Sequence, residues 1–166
     1  MENKKITLLG IIAGVTIAGR IFLSQFPNIQ PVTTILLFVA IYLGIKEAII
    51  TNILVVFLSN IYLGLGPWTI YQIITYAIII VLASLLSSSK KFRDSIFFQV
   101  TFSIISGFIY GFIISVFTAT TFSKTTNFIF YYLNGLYFDL LHGIGNGIIY
   151  FLIVPPLKKA LDRYFI

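Results

Sequence analysis

The chain has 166 residues, of which 58% are hydrophobic and 10% are charged, whereas an average soluble domain carries about 25% charged residues. So few charges cannot cover the core of a water-soluble fold, and the natural solvent of this chain is a lipid bilayer. The absence of Cys and the single His exclude disulfides and most zinc and haem sites. The meaning of the net charge of +6 depends on where the charged residues lie along the chain.

The first predicted element is a membrane helix over residues 6–23. Its apolar stretch of about 18 residues is longer than that of a signal peptide and lacks a small-residue cleavage site, so we expect the helix to be retained. Pro27 and Pro31 bound the link that follows. Since two prolines forbid a continuous helix, we expect a tight re-entry into the membrane there.

Apolar runs over residues 32–45 and 48–63, with Lys46-Glu47 between them, predict a helical hairpin of two spans. Gly and Pro in the segment 64–69 predict a sharp loop, after which a fourth helix runs to about residue 86. The segment 87–94 is polar and basic, which is typical of an aqueous loop.

A fifth helix is predicted over residues 95–117, a polar link over 118–127 and a sixth helix over 128–154, followed by a basic tail. The sequence therefore predicts one all-α membrane domain over residues 1–166, with six transmembrane helices. No Gly-rich, Lys-bearing ATP-binding loop is present, so uphill transport would need an energy source elsewhere. No convincing internal repeat is visible, which disfavours an inverted-repeat transporter.

The positions of Lys and Arg predict the orientation of the helices. With both termini in the cytoplasm, the outer side carries only Lys124 and, near a helix end, Arg20. The inner segments then carry Lys4, Lys5, Lys46, Lys90, Lys91, Arg93, Lys158, Lys159 and Arg163. This positive-inside pattern indicates a multi-pass protein of a bacterial-type plasma membrane and does not indicate nucleic-acid binding.

The first helix carries two features with competing interpretations. Gly10, Gly14 and Ala18 are spaced four residues apart, a stripe that either packs within this bundle or meets a partner membrane protein. Arg20 either anchors the helix by snorkelling to the interface or binds an anionic or amide-rich ligand.

Two outer loops offer hydrogen-bonding side chains without ionisable groups, which suits a neutral, heterocyclic or amide-bearing small molecule better than an ion. For the single Trp, an aromatic-belt anchor is the competing interpretation, but two such loops on one side favour a binding site. The side chains are Asn28 and Gln30 in the first loop and Asn60, Trp68, Thr69 and Gln72 in and around the second.

Asp139, His142 and Asn146 share one face of the sixth predicted helix. Asp139 lies about 16 Å of helical rise from the start of that helix and thus near mid-bilayer. A carboxylate there is costly, so we expect it to face the bundle interior and either to pair with His142 or to be protonated. The three residues either lock helix packing or form the floor of a ligand cavity.

Together these pieces resemble the substrate-binding S component of energy-coupling factor (ECF) vitamin transporters. The pieces are the first helix ending in Ala18-Gly19-Arg20, the link 26–31, the segment 59–60 continuing to 64–69, and the run 138–142 with 145–146. The resemblance implies a non-enzymatic subunit that captures a vitamin or vitamin precursor outside the cell with its outer loops and its sixth helix. We expect neither a metal nor a cofactor. The resemblance also implies docking, through Gly10, Gly14 and Ala18, on a membrane coupling subunit that carries two cytosolic ATPases.

The Pro-Asn-x-x-Pro and Gly-Pro-Trp-Thr pieces look most like the cobalamin-associated branch, which makes cobalamin or cobinamide the first choice of substrate. Folate and pantothenate carriers share parts of the pattern. Two hypotheses come from other classes: a small intramembrane enzyme that uses Asp139 and His142, and a self-sufficient channel or carrier.

Overall fold

The computed structural model describes residues 2–122 and 128–165, and within them the chain is an α-helical bundle without strands. Five of its helices are long and apolar enough to cross a membrane, and a shorter apolar helix accompanies them. The helices are α1 (Glu2–Phe22), α2 (Val32–Tyr42), α3 (Ile45–Leu63), α4 (Pro67–Ser87), α5 (Lys90–Asp94), α6 (Ile96–Phe122) and α7 (Phe128–Phe165), with a 3-10 turn at Leu23–Gln25 after α1.

The helix α2 forms the centre of the bundle. It has 11 residues, and residues 32–41 are all buried, packed against α3, α4 and α7. At about 1.5 Å per residue it is roughly 16 Å long, well short of a bilayer's hydrocarbon thickness of about 30 Å. The prediction of a helix over residues 32–45 is therefore too long, and α2 is a buried central element.

The break between α2 and α3 lies at Leu43 and Gly44, and the predicted break at Lys46-Glu47 is wrong. Gly44 has a φ of +121°, a conformation that favours glycine. Lys46 and Glu47 belong to the first turn of α3, where the carboxylate is favourable beside the free N–H groups of the helix.

The segment predicted as an aqueous loop contains the short helix α5. Its Phe92 is buried, and Gln99 Nε2 donates to the carbonyl oxygens of Phe92 (3.1 Å) and Arg93 (2.7 Å). The Gln99 Oε1 atom accepts hydrogen bonds from the hydroxyls of Tyr42 and Tyr150, each at 3.0 Å. These contacts fix α5 against the end of the bundle.

The last two helices are longer than predicted. The helix α6 continues to Phe122, so the first part of the predicted link 118–127 is helical, while residues 123–127, with Lys124, lie outside the described residues. The helix α7 does not end at residue 154 but runs through Pro155 and Pro156 to Phe165. It continues because its later turns still pack on the core through Leu157 and Leu161.

Glycines bring α6 and α7 into backbone contact. A Cβ atom placed on Gly107 would lie 2.5 Å from the backbone N of Gly143, and one on Gly147 would lie 2.7 Å from the side chain of Ile104. Small residues at such an interface let two helices approach closely in lipid, where apolar burial alone does not drive association. This pair positions the polar face of α7 towards α2.

Candidate functional site

Arg20 is the centre of a buried polar network at one end of the bundle. Only 4% of its surface is exposed, and its Nη1 atom donates to Ser59 Oγ at 2.6 Å. Its Nε and Nη2 atoms donate to the Oε1 atoms of Gln30 and Gln72, each at 3.1 Å. The interpretation of Arg20 as a snorkelling anchor is therefore wrong, because neutral acceptors inside the protein hold its guanidinium.

Asn60 and Thr69 extend this network from α3 to α4. The Asn60 Nδ2 atom donates to Gln72 Oε1 at 2.8 Å and to Thr69 Oγ1 at 3.0 Å, and both Asn60 and Thr69 are buried. The structure thus brings together five predicted site residues: Arg20, Gln30, Asn60, Thr69 and Gln72. We call these five residues and Ser59 the Arg20 network.

His142 is linked to the Arg20 network through two buried tyrosines. Gln30 Nε2 donates to Tyr76 Oη at 3.4 Å. The ring centroids of Tyr76 and Tyr110 are 4.7 Å apart. The Tyr110 ring packs edge-on against the His142 ring, with 4.9 Å between the two centroids. The Nε2 atom of His142 shares a hydrogen bond with Thr33 Oγ1 at 3.0 Å. A chain of hydrogen bonds and aromatic ring contacts therefore runs from Arg20 of α1 to His142 of α7.

The sequence pattern does not mark Ser59, Tyr76, Tyr110 or Thr33 as members of this site. A Tyr within an apolar run looks like ordinary core packing. The feature that can reveal such a residue is its hydroxyl group. A buried Tyr usually has a hydrogen-bond partner, so a Tyr in an apolar helix indicates a polar neighbour.

Asp139 is 5% exposed and fills the space that Gly111 of α6 leaves, where any Cβ would overlap its carboxylate. The predicted pairing with His142 is wrong: His142 Nε2 meets Thr33 Oγ1, and neither its Nδ1 atom nor Asp139 Oδ2 is bonded to the other residue. Among the described residues, Asp139 Oδ2 and His142 Nδ1 have no hydrogen-bond partner. Both side chains therefore keep hydrogen-bonding capacity that the protein does not fill.

Asn146 contacts α2 and α6. Its Nδ2 atom donates to the backbone carbonyl oxygen of Ser103, and its backbone carbonyl oxygen accepts from the hydroxyls of Thr34 and Ser103, all at 3.3 Å. This geometry favours the interpretation of Asn146 as a residue that locks helix packing, and its role as a cavity floor stays a prediction.

Trp68 lies apart from the Arg20 network. Its side chain is 47% exposed, its Nε1 atom donates to the carbonyl oxygen of Gly64 at 3.1 Å, and its ring occupies the space beside Gly66 that a Cβ would need. Trp68 lies in the first turn of α4 and packs against the loop 64–66 that precedes it, and a contact between Trp68 and a ligand stays a prediction.

A cavity of about 200 Å³ opens beside Arg20, Asn28, Gln30 and Gln72. Asn28 belongs to the link 23–31, which forms part of the cavity lining, and its Nδ2 atom donates to the carbonyl oxygen of Phe138 on α7 at 3.3 Å. The cavity is smaller than the roughly 300–1,000 Å³ of typical small-molecule sites. Its polar lining offers amide donors and acceptors around one cation.

A larger groove of about 470 Å³ is lined by α1, α2 and α7. Its side chains are almost all apolar, and the groove contains none of the predicted ligand-binding residues. In a bilayer an apolar groove of this kind faces lipid or another helix, so the cavity beside Arg20 is the better candidate for a polar ligand.

The small residues of α1 face outwards. Gly10, Gly14 and Ala18 are exposed, and a Cβ atom added to Gly10 or Gly14 would meet nothing within 4 Å. The interpretation that this stripe packs inside the bundle is therefore wrong.

A family model described as "ECF transporter, substrate-specific component" matches residues 4–154, which include every predicted site residue. The chain belongs to this family. ECF substrate-specific components bind a small-molecule substrate, work with the ECF coupling and ATPase subunits, and are not enzymes, so the hypothesis of an intramembrane enzyme is wrong. The family and the apolar helices make the chain a multi-pass membrane protein, expected in the cell membrane. No curated protein and no solved structure matches the chain.

Proposed function

We propose that this substrate-specific component captures a vitamin or vitamin precursor at the Arg20 network, with cobalamin or cobinamide as the first choice and folate or pantothenate as the alternatives. The observation that supports this is the cavity in which Arg20 meets the side-chain amides of Asn28, Gln30 and Gln72. A corrinoid carries many amide groups, and amide side chains can both donate to and accept from them.

The proposed topology has six passes across the membrane and both termini in the cytoplasm. The short, buried helix α2 makes one of these passes together with the link 23–31 that precedes it. Two contacts support this topology, because they place several basic segments at the same end of the bundle. Lys5 pairs with Glu47 at the start of α3, and Lys158 of α7 lies 5.3 Å from the ring of Tyr42 at the end of α2. Arg20 then lies at the outer end, as the positive-inside pattern requires.

A vitamin enters, in this proposal, when the link 23–31 moves away from α7. The cavity of about 200 Å³ is too small for a corrinoid, and Asn28 holds the link to Phe138 by a side-chain hydrogen bond. Opening this contact would bring the ligand to Asp139 and His142, whose Oδ2 and Nδ1 atoms lack partners within the described structure. Ligand groups would then fill the hydrogen bonds that the protein leaves open.

A thermal-shift screen of the purified chain in detergent tests this proposal. The ligands are cobalamin, cobinamide, folate, pantothenate, riboflavin and thiamine, each well above the expected dissociation constant. A ligand at a hundred times its dissociation constant adds about 2.7 kcal/mol to the free energy of unfolding, so we expect both corrinoids to raise the melting temperature. A shift with another vitamin alone would contradict the corrinoid assignment, and no shift with any would contradict vitamin capture.

Docking on the coupling subunit is proposed to use the exposed stripe of α1. Gly14→Leu is expected to weaken assembly with the coupling subunit and its ATPases by about tenfold or more, as loss of a close interface contact does. Binding of cobinamide should be unchanged, because nothing lies within 4 Å of a Cβ at Gly14.

The matched control is Gly135→Leu on α7, since Gly135 is also helical and has equally open surroundings. Co-purification with the tagged coupling subunit measures the assembly. Equal assembly of Gly14→Leu and Gly135→Leu would contradict the docking role of the stripe.

A further inference from the structure

Two polar contacts hold α1 against α3, one near each end. The Lys5 ammonium pairs with the Glu47 carboxylate at the start of α3, with 37% and 18% of the two side chains exposed. The Arg20 guanidinium donates to Ser59, in the last turns of the same helix α3. Lys5 and Arg20 are 15 positions apart, or about 22 Å of helical rise.

These contacts lie on the side of α1 that faces away from the small-residue stripe. At about 100° per residue, Gly14 lies roughly 180° around the helix from Lys5 and roughly 120° from Arg20. When Lys5 and Arg20 are drawn towards α3, the stripe of Gly10, Gly14 and Ala18 therefore turns away from the bundle.

Apolar packing contributes to this rotation, since Ile12 and Ala13 of α1 are buried in the core. That packing is incomplete on the side of α2 and α7. The groove of about 470 Å³ between α1 and its neighbours α2 and α7 is unfilled by side chains. An ion pair, in contrast, favours one rotation, because only one face of α1 brings Lys5 within reach of Glu47.

We infer that the Lys5–Glu47 ion pair is a positioning element that sets the rotation of α1, so that Gly10, Gly14 and Ala18 are presented to the coupling subunit. This inference rests on the proposed docking role of that stripe. Lys5 and Glu47 act through the orientation of α1, and the network that meets the ligand lies at the opposite end of the helix.

Charge-neutral variants test the pair. Lys5→Gln and Glu47→Gln are each expected to assemble with the coupling subunit about twofold to fivefold more weakly, in line with a partly exposed ion pair. The double variant should assemble no worse than either single variant, because the interaction is already lost. Lys46→Gln is the control, since Lys46 is an exposed lysine beside Glu47, and it should assemble as the original chain does.

Charge reversal distinguishes loss of the ion pair from a non-specific loss of folding. Lys5→Glu should assemble poorly, and the swapped variant carrying Lys5→Glu together with Glu47→Lys should recover. The cobinamide thermal shift should stay the same in all these variants. A swapped variant as weak as Lys5→Glu alone would overturn the inference.

A measurement without the partner reports the rotation itself. The chain has no Cys, so spin labels can be placed at Gly14→Cys on α1 and at Ile105→Cys, an exposed position on α6. Glu47→Gln should shift or broaden the distance distribution between the labels, and an unchanged distribution would overturn the inference.

The assembly results distinguish the two proposals. Normal assembly of Glu47→Gln overturns the positioning role alone, whereas normal assembly of Gly14→Leu overturns the docking role on which the positioning role rests.

Discussion

Replacing Arg20 by Met is expected to weaken corrinoid binding by about a hundredfold, since a hydrogen bond to a charged group contributes about 1.5–3 kcal/mol. The guanidinium holds the acceptors of Gln30, Ser59 and Gln72 in place. A Met side chain fills similar space but donates nothing, so these buried acceptors lose their partner. Titration of the purified variant with cobinamide measures the loss.

Two further variants make this test specific. Arg20→Lys keeps the charge but cannot span three acceptors, so its affinity should fall between those of the original chain and Arg20→Met. Arg163→Met removes an exposed arginine of α7 and should bind cobinamide normally. Unchanged binding by Arg20→Met would remove Arg20 from the site.

The Gly107→Leu variant is expected not to yield a stable, monodisperse protein. A Cβ atom on Gly107 would lie 2.5 Å from the backbone N and 2.7 Å from the Cα of Gly143. Backbone cannot move aside as a flexible side chain can, so α6 and α7 must separate, at a cost of about 3 kcal/mol or more. Size-exclusion chromatography and the melting temperature in detergent measure the effect.

Gly135→Leu is the matched control for this variant as well, because a side chain at Gly135 meets nothing within 4 Å. It should elute and melt as the original chain does. A Gly107→Leu protein with the same melting temperature as this control would contradict the backbone contact between α6 and α7.

The long helices could be predicted from the sequence because apolar runs bounded by Pro, Gly or charges report directly on membrane-crossing segments. The same rule misplaced the start of α3. Lys46 and Glu47 look like a loop, yet charged side chains are compatible with the first turn of a helix, and the actual break is at Gly44.

Five of the six residues of the Arg20 network could be predicted from their residue types and positions, but Ser59 and the contacts among the six could not. Arg20 is visible as a charge in an apolar helix, which indicates a functional residue. Its burial depends on Ser59 and Gln72, which are 39 and 52 positions away along the chain. A single sequence does not report which distant side chains meet, and for the same reason the contact of His142 with Thr33 was missed in favour of Asp139.

Reconstitution into proteoliposomes tests most directly whether this chain is a capture subunit that depends on partners. The measured quantity is uptake of radiolabelled cobalamin by vesicles that contain the chain alone, and by vesicles that also contain the coupling subunit and its two ATPases. We expect uptake only in the complete assembly and only with ATP. Uptake by the chain alone would show a self-sufficient carrier or channel, and no uptake by an ATP-hydrolysing complete assembly would contradict cobalamin as the substrate.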